Sequence, residues 1–265
     1  MKAIMVRERR VSIEAYDEFV FSDGGIAHPV YRRGSGPAVV VIHELPGMSA
    51  ACIGLADEIA GHGFTVYLPL LFGRPGDWNT LKYLAHVCIS REFHLLANCG
   101  SSPVVDWLRA LCRQARAECP GKGVGAIGMC FTGNFAISMM ADDAVLAPVA
   151  SQPSLPFPLS AELKHHPGVS APDLDRALTR SKEQGVELMC LRFSHDPYVP
   201  KERYDRLQQL FGGAFRGIEI DSSPGNPHGL SPKSHSVLTR HFRDEQGHPT
   251  RQARDQVIAF LKEKL

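Results

Sequence analysis

The sequence predicts an α/β fold: a mostly parallel sheet with helices on both faces, preceded by an N-terminal antiparallel hairpin. Three observations point to it. Tyr16 to Ser22 and His28 to Arg33 read as strands, and between them lies Asp23-Gly24-Gly25, a turn whose glycines tolerate the positive φ that tight hairpins require. Ala38-Val39-Val40-Val41-Ile42 is an unbroken, largely β-branched run, the pattern of a strand buried on both faces. From there to the C-terminus such runs alternate with amphipathic stretches, the order of strand and crossover helix in a parallel sheet.

The elements follow in order. His43-Glu44-Leu45-Pro46-Gly47 reads as a loop, and Ser49 as the N-cap of a helix that runs to the Gly61-His62-Gly63 break with Leu55 and Ile59 on one face. Phe64 to Leu68 is the next buried strand. Between Pro69 and Ser102 the pattern weakens: Gly73, Pro75 and Gly76 mark an irregular excursion, and Leu81 to Ala97 reads as one or two helices. Val104 to Glu118 is an amphipathic helix, with Val105, Leu108, Leu111 and Cys112 at helical spacing. Ala144 to Ala150 is a strand, and the proline-rich stretch from Pro148 to Pro172 is expected to form a long connection over the surface. Asp173 to Gln184 predicts a helix ended by Gly185, Val186 to Phe193 a strand, Glu202 to Phe211 a helix, Phe215 to Ile220 a strand, and Arg251 to Leu265 the closing helix. No linker separates two self-sufficient halves, so residues 1–265 are expected to form a single domain.

Composition narrows the function classes. A net charge of +1 offers no footprint for nucleic acid or an anionic membrane surface. No apolar run has the length of a membrane span, and the charged N-terminus lacks the apolar core of a secretory signal. Seven cysteines without CxxC pairs argue for a reducing compartment, with the cytoplasm as the expected location. Neither a cofactor nor a metal is called for, and a monomer or homodimer acting on a small molecule is expected.

The chemistry centres on Gly128-Met129-Cys130-Phe131-Thr132-Gly133, preceded by Val124, Ala126 and Ile127 and followed by the apolar helical stretch Phe135 to Met140. A nucleophile at the tip of a strand-to-helix turn sits in strained backbone, so small residues must flank it where strand and helix crowd together. This is the G-x-nucleophile-x-G elbow of the α/β-hydrolases, with cysteine where serine is usual and the second glycine one place late, at Gly133. The turn sets Cys130 at a helix N-terminus, where partial positive charge favours a thiolate. The other six cysteines read as core fillers.

In an α/β-hydrolase layout the acid and base follow the nucleophile in the order nucleophile, Asp/Glu, His, each in a loop at the carboxyl end of a strand. Asp196 comes directly after Val186–Phe193, and His228 lies in the loop after Phe215–Ile220. His195 is a rival base, ranked lower because it points away from its neighbour along an extended chain. His235, His241 and His248, scattered among charged residues without ligand spacing, read as a solvated face. Glu44 follows a buried strand at the same end of the sheet. Its loop normally supplies one backbone amide of the oxyanion hole, here Leu45, with Phe131 giving the other.

Together, Glu44 in HELPG, Cys130 in GMCFTG, Asp196 in SHDPYVP and His228 in PHGL resemble the dienelactone hydrolase family, from about Ala38 to the C-terminus. The resemblance implies that Cys130 attacks an enol-lactone or ester carbonyl within a Cys-His-Asp triad with His228 and Asp196. It further implies that Glu44 holds the resting thiol and takes its proton when substrate arrives. Dienelactone-specific members bind the substrate carboxylate with two arginines; Arg91 matches one, whereas Pro232 stands at the second place. Thr132 and Leu230 also depart from the family pattern. The function these features predict is ester or lactone hydrolysis through a covalent acyl-enzyme, of the carboxymethylenebutenolidase kind. The alternatives are a broad-specificity carboxylesterase, phosphoryl esters included, and a non-catalytic binding protein on the same fold.

Overall fold

A computed structural model describes residues 13–45, 47–76, 102–155 and 164–265. Leu81 to Ala97 and Arg91 therefore lie outside the described residues. The hairpin is β1 (Asp17–Asp23) and β2 (Ile26–Gly34), paired antiparallel from Asp17↔Arg32 to Asp23↔Ile26. Its turn residues Gly24 and Gly25 have φ of 56° and 80°, which is why glycines stand there. The strands β3 (Ala38–Ile42), β4 (Thr65–Pro69), β5 (Val124–Met129), β6 (Val145–Ser151), β7 (Leu188–Phe193) and β8 (Phe215–Ile220) pair parallel, and the sheet order is β1-β2-β4-β3-β5-β6-β7-β8. This is the α/β-hydrolase fold.

Six described α-helices cover the sheet: α1 (Ala50–Gly61), α2 (Pro103–Glu118), α3 (Phe131–Met139), α4 (Ala171–Gln184), α5 (Lys201–Phe211) and α6 (Pro249–Lys264). The alternation of each central strand decides which helix meets which side chain. Val39, Val41, Ile127 and Met129 face Leu55 and Ile59 of α1 and Val257 and Leu261 of α6. Val40, Ile42 and Ala126 face Trp107, Leu108 and Leu111 of α2 and Phe135 of α3. Farther along, Leu188 and Cys190 meet Ala177 of α4 and Leu207 of α5. These side chains are almost wholly removed from water, each fully buried Val, Leu or Ile contributing about 1.5–3 kcal/mol. Ser49 caps α1 as expected, its Oγ accepting the Cys52 N–H at 3.3 Å, and Gly185 ends α4 in the left-handed conformation. Among the described residues no helix is long and apolar enough to cross a membrane.

Two features place the site. The chain leaves β3 toward β4 and returns to β5 on the other side of β3, so the loops after β3 and β5 diverge and open a crevice at the carboxyl end of the sheet. The pairing Ile42↔Gly128 then sets Glu44 and Cys130, each two residues further on, beside each other. One expectation is corrected: the start of the Pro148–Pro172 stretch is not a surface connection. Pro148 to Ser151 belongs to β6, residues 152–155 are buried, and Pro153 and Ser154 meet the elbow at Gly133 and Cys130.

Candidate active site

Cys130 sits at the tip of the β5–α3 turn with φ 58° and ψ −128°, a conformation that costs an L-residue about 1–3 kcal/mol. The neighbouring residues show what sustains it. A Cβ on Gly128 would lie 2.0 Å from the Thr132 carbonyl oxygen, and one on Gly133 would lie 2.9 Å from Pro153 Cα. Both glycines are therefore demanded by close backbone approach. Gly133 comes one place late because α3 meets the Pro153 backbone there, while Thr132 fits inside the turn. Its buried Oγ1 accepts the Met129 N–H at 2.9 Å and lies 2.8 Å from the Met129 carbonyl. The Cys130 N–H donates to the Ser151 carbonyl at 3.0 Å, tying the elbow to β6.

Asp196 follows β7 as expected and is buried. One carboxylate oxygen accepts the Tyr198 N–H at 2.9 Å. The other lies 2.7 Å from Nδ1 of His235. His235, not His228, is therefore the histidine at this site, and its solvated-face reading is corrected. Sγ of Cys130, a carboxylate oxygen of Glu44 and a ring nitrogen of His235 all lie within 4.8 Å of one another. With Nδ1 engaged by Asp196, Nε2 is the nitrogen left for the thiol. Burial lowers the pKa of the imidazole, but the charge of Cys130 and the hydrogen bonds to Asp196 and Cys130 outweigh it and hold it well above the usual histidine range.

His228 is exposed, with its ring against His248 at 5.6 Å. The reason is local. Asn226 Oδ1 accepts the backbone N–H groups of both His228 and Leu230, at 3.2 and 3.0 Å, and winds Pro224 to Leu230 into a tight polar turn. The chain reaches the crevice only afterwards. There Val237 and Leu238 are buried, and the His235 and Ser236 N–H groups both donate to Nδ1 of His241, at 3.2 and 3.1 Å. His248 is likewise not a solvated residue but the buried N-cap of α6. His195 is exposed and its Nδ1 pairs with Ser194 Oγ at 3.0 Å. A signal for His235 was present in the sequence: Ser234-His235-Ser236-Val237-Leu238 carries an apolar pair that can anchor a loop, whereas His228 lies among Pro and Gly.

Glu44 is buried at the crevice. One oxygen accepts from Ser236 Oγ at 2.9 Å and from Gln152 Nε2 at 3.3 Å; the other accepts from Thr239 Oγ1. Gln152 is itself held at φ 40° with no exposure, and its Oε1 accepts the Val237 N–H at 3.3 Å. The loop after β6 and the loop carrying His235 are thus joined through Glu44. Leu45 follows in a turn closed by the Gly47 N–H on the Glu44 carbonyl at 2.8 Å, and packs on the same apolar cluster as Cys130 and Phe131. His43 is wholly buried. Its Nε2 accepts the Leu71 N–H at 3.1 Å, and burial lowers its pKa to about 4, so it is a neutral support for this loop. A cavity of about 360 Å³ opens here, lined by Glu44, Leu45, Tyr198, Lys233, His235 and Arg240 among others.

Cys130, Glu44 and His235 are the one group of possible metal ligands among the described residues. Glu44 is already engaged by three donors and His235 Nδ1 by a carboxylate, an arrangement suited to moving a proton between thiol and imidazole.

No curated protein sequence matches the chain. Its fold is similar to that of a Klebsiella pneumoniae protein assigned as a dienelactone hydrolase, at 16% identity and a TM-score of 0.63 over 94% of this chain and 98% of that one. It is also similar to a dienelactone hydrolase-like promiscuous phosphotriesterase from metagenomic libraries, at 16% identity and a TM-score of 0.59 over 93% and 97% of the two chains. A third likeness is Est1E of Butyrivibrio proteoclasticus, at 12% identity and a TM-score of 0.57 over 93% and 98%. The sequence profile of one family matches residues 23–265, and on that match the chain belongs to the dienelactone hydrolase family.

Proposed function

We propose that this hydrolase of ester bonds cleaves small esters or lactones through a covalent thioester on Cys130, with His235 as general base and acid and Asp196 orienting the imidazole. The observation that carries the reading is the meeting of Cys130, at a strained elbow, with a histidine whose Nδ1 lies 2.7 Å from a buried carboxylate. The thiolate adds to the carbonyl carbon, and the oxyanion is stabilised by the Leu45 and Phe131 backbone N–H groups. As the C–O bond breaks, the imidazolium gives its proton to the leaving oxygen, which in a lactone stays tethered as the hydroxyl of the acyl chain. Water then attacks the thioester while His235 takes its proton, and the thiolate is restored with release of the carboxylic acid. Glu44, within 4.8 Å of Sγ, takes the proton of the resting thiol when substrate arrives and returns it once the thiolate is released, so the proton that the leaving oxygen receives is the one the His235 imidazolium already carries and regains from water. Keeping the sulfur protonated until substrate arrives would guard it from oxidation.

Whether the substrate resembles a dienelactone turns on Arg91, which we propose clamps a substrate carboxylate. Arg91→Ala would then raise KM about tenfold to a hundredfold for anionic lactones, the range expected for a charge-assisted contact, and leave neutral esters unchanged. Equal effects on both substrates would remove it from the site. The reaction itself is tested by incubating the protein with a chromogenic short-chain ester and reading the mass of the Cys130 peptide after acid quench. An acyl adduct on that peptide is expected. Steady turnover by Cys130→Ala would overturn the mechanism and favour a different nucleophile, and no turnover by the wild type would favour the non-catalytic alternative.

A further inference from the structure

Resting on the thiol mechanism above, we propose that Ser154 is a positioning residue for the nucleophile, its hydroxyl donating a hydrogen bond that stabilises the Cys130 thiolate. Oγ of Ser154 lies 3.1 Å from Sγ, and among the described residues that hydroxyl has no other hydrogen-bond partner. Ser154 is 5% exposed and is fixed to the elbow from both sides. Its N–H donates to the Cys130 carbonyl at 3.1 Å, and its own carbonyl accepts from Asn134 Nδ2 of α3 at 2.7 Å.

The chemistry of the neighbours gives this contact its weight. Glu44 as a carboxylate has no hydrogen to give a thiolate, and its oxygens already accept from Ser236, Thr239 and Gln152. Among the described residues, His235 and Ser154 are the side chains placed to donate to the sulfur anion. A donor on the charged form favours that form. It also spreads the charge, so each thiolate becomes somewhat less nucleophilic. The two consequences have opposite signs, and packing alone would produce neither.

The test is iodoacetamide alkylation of the intact protein as a function of pH, with Cys130→Ala as the blank. Ser154→Ala is expected to move the midpoint of thiol reactivity upward by about one pH unit, a roughly tenfold loss of thiolate that lowers the rate below the midpoint about threefold once the greater reactivity of each thiolate is counted. With a nucleophilicity exponent of about 0.4–0.5, the plateau rate above it is expected to rise roughly threefold. A matched pair guards against disturbed packing: Ser154→Thr keeps the hydroxyl and should keep the wild-type midpoint, whereas its isostere Ser154→Val should not. Superimposable profiles for Thr and Val, or an unshifted midpoint in Ser154→Ala, would overturn the role of Ser154 and leave the mechanism standing. Persistence of ester hydrolysis in Cys130→Ala would instead overturn the mechanism itself.

Discussion

The elbow that carries Cys130 and the loop that carries His235 contribute to one site, yet the sequence specifies them in different ways. At the elbow the constraint is local. A positive φ at Cys130 and two close backbone contacts leave room only for glycine at Gly128 and Gly133, so the motif can be read from six residues. The histidine loop is irregular between Ile220 and Pro249, and which of its histidines reaches the crevice is decided by contacts from elsewhere in the chain. Glu44, Gln152 and Asp196 hold it from 85 to 195 residues away or from 39 residues away. The place of Cys130 is thus written in its own motif, and that of His235 in the tertiary structure around it.

The largest effect expected is at the elbow. Cys130→Ala should lower kcat/KM for a chromogenic ester by at least about a thousandfold, since members of such triads act as a unit, while leaving the fold intact. Cys130→Ser should also be far weaker than wild type, because a site built around a thiolate lacks the means to deprotonate a hydroxyl. A fully active serine variant in the same assay would contradict this. Next comes Gly128→Ala, whose Cβ would meet the Thr132 carbonyl at 2.0 Å. We expect about 3 kcal/mol or more of lost stability by denaturant unfolding, the size typical of forced backbone strain. An unchanged midpoint would mean that the elbow is not the rigid element described.

Glu44→Gln probes the link between the two regions. The amide can still pair with Ser236 and Thr239 but cannot take the thiol proton, so kcat should fall about tenfold to a hundredfold, less than for loss of His235. Identical pH profiles of alkylation for variant and wild type would show that Glu44 does not govern the sulfur. The smallest effect is in titration. Burial lowers the pKa of His235, but Cys130 and Asp196 raise it further than burial lowers it. Its NMR midpoint should therefore lie above 6.5 and fall in Cys130→Ala. The sign for stability follows: a histidine with a raised folded pKa stabilises fully below its unfolded pKa, and that contribution is lost as pH rises through the folded value. The extra stability of wild type over Cys130→Ala from this group should shrink over that range, and growth with pH would contradict the assignment.

Most of the fold was legible because its signals are short-range. The β-branched run Ala38–Ile42 and the strand Phe215–Ile220 occur at the residues expected, and Gly24-Gly25 and Gly185 end their elements where left-handed φ is needed. Asp196 was legible for the same reason, following directly on a strand. What escaped was packing at long range. Pro153 suggested an exposed connection, yet the backbone there is pressed against Gly133 and delivers Ser154 to the thiol. His228 was favoured for being in the right loop, although Asn226 and Gly229 make its segment a self-contained turn. The two-residue anchor Val237-Leu238 beside His235 carries less local information than a glycine bracket, and only the folded core shows what it anchors to.

The choice between the two histidines is the most direct test of this account. Measured side by side on one short-chain chromogenic ester, His235→Ala should lose about a thousandfold or more in kcat/KM, as expected for removal of a general base. His228→Ala, at an exposed turn, should stay within about twofold of wild type. A near-normal His235→Ala enzyme, or an inactive His228→Ala enzyme with an intact fold, would contradict the assignment of His235.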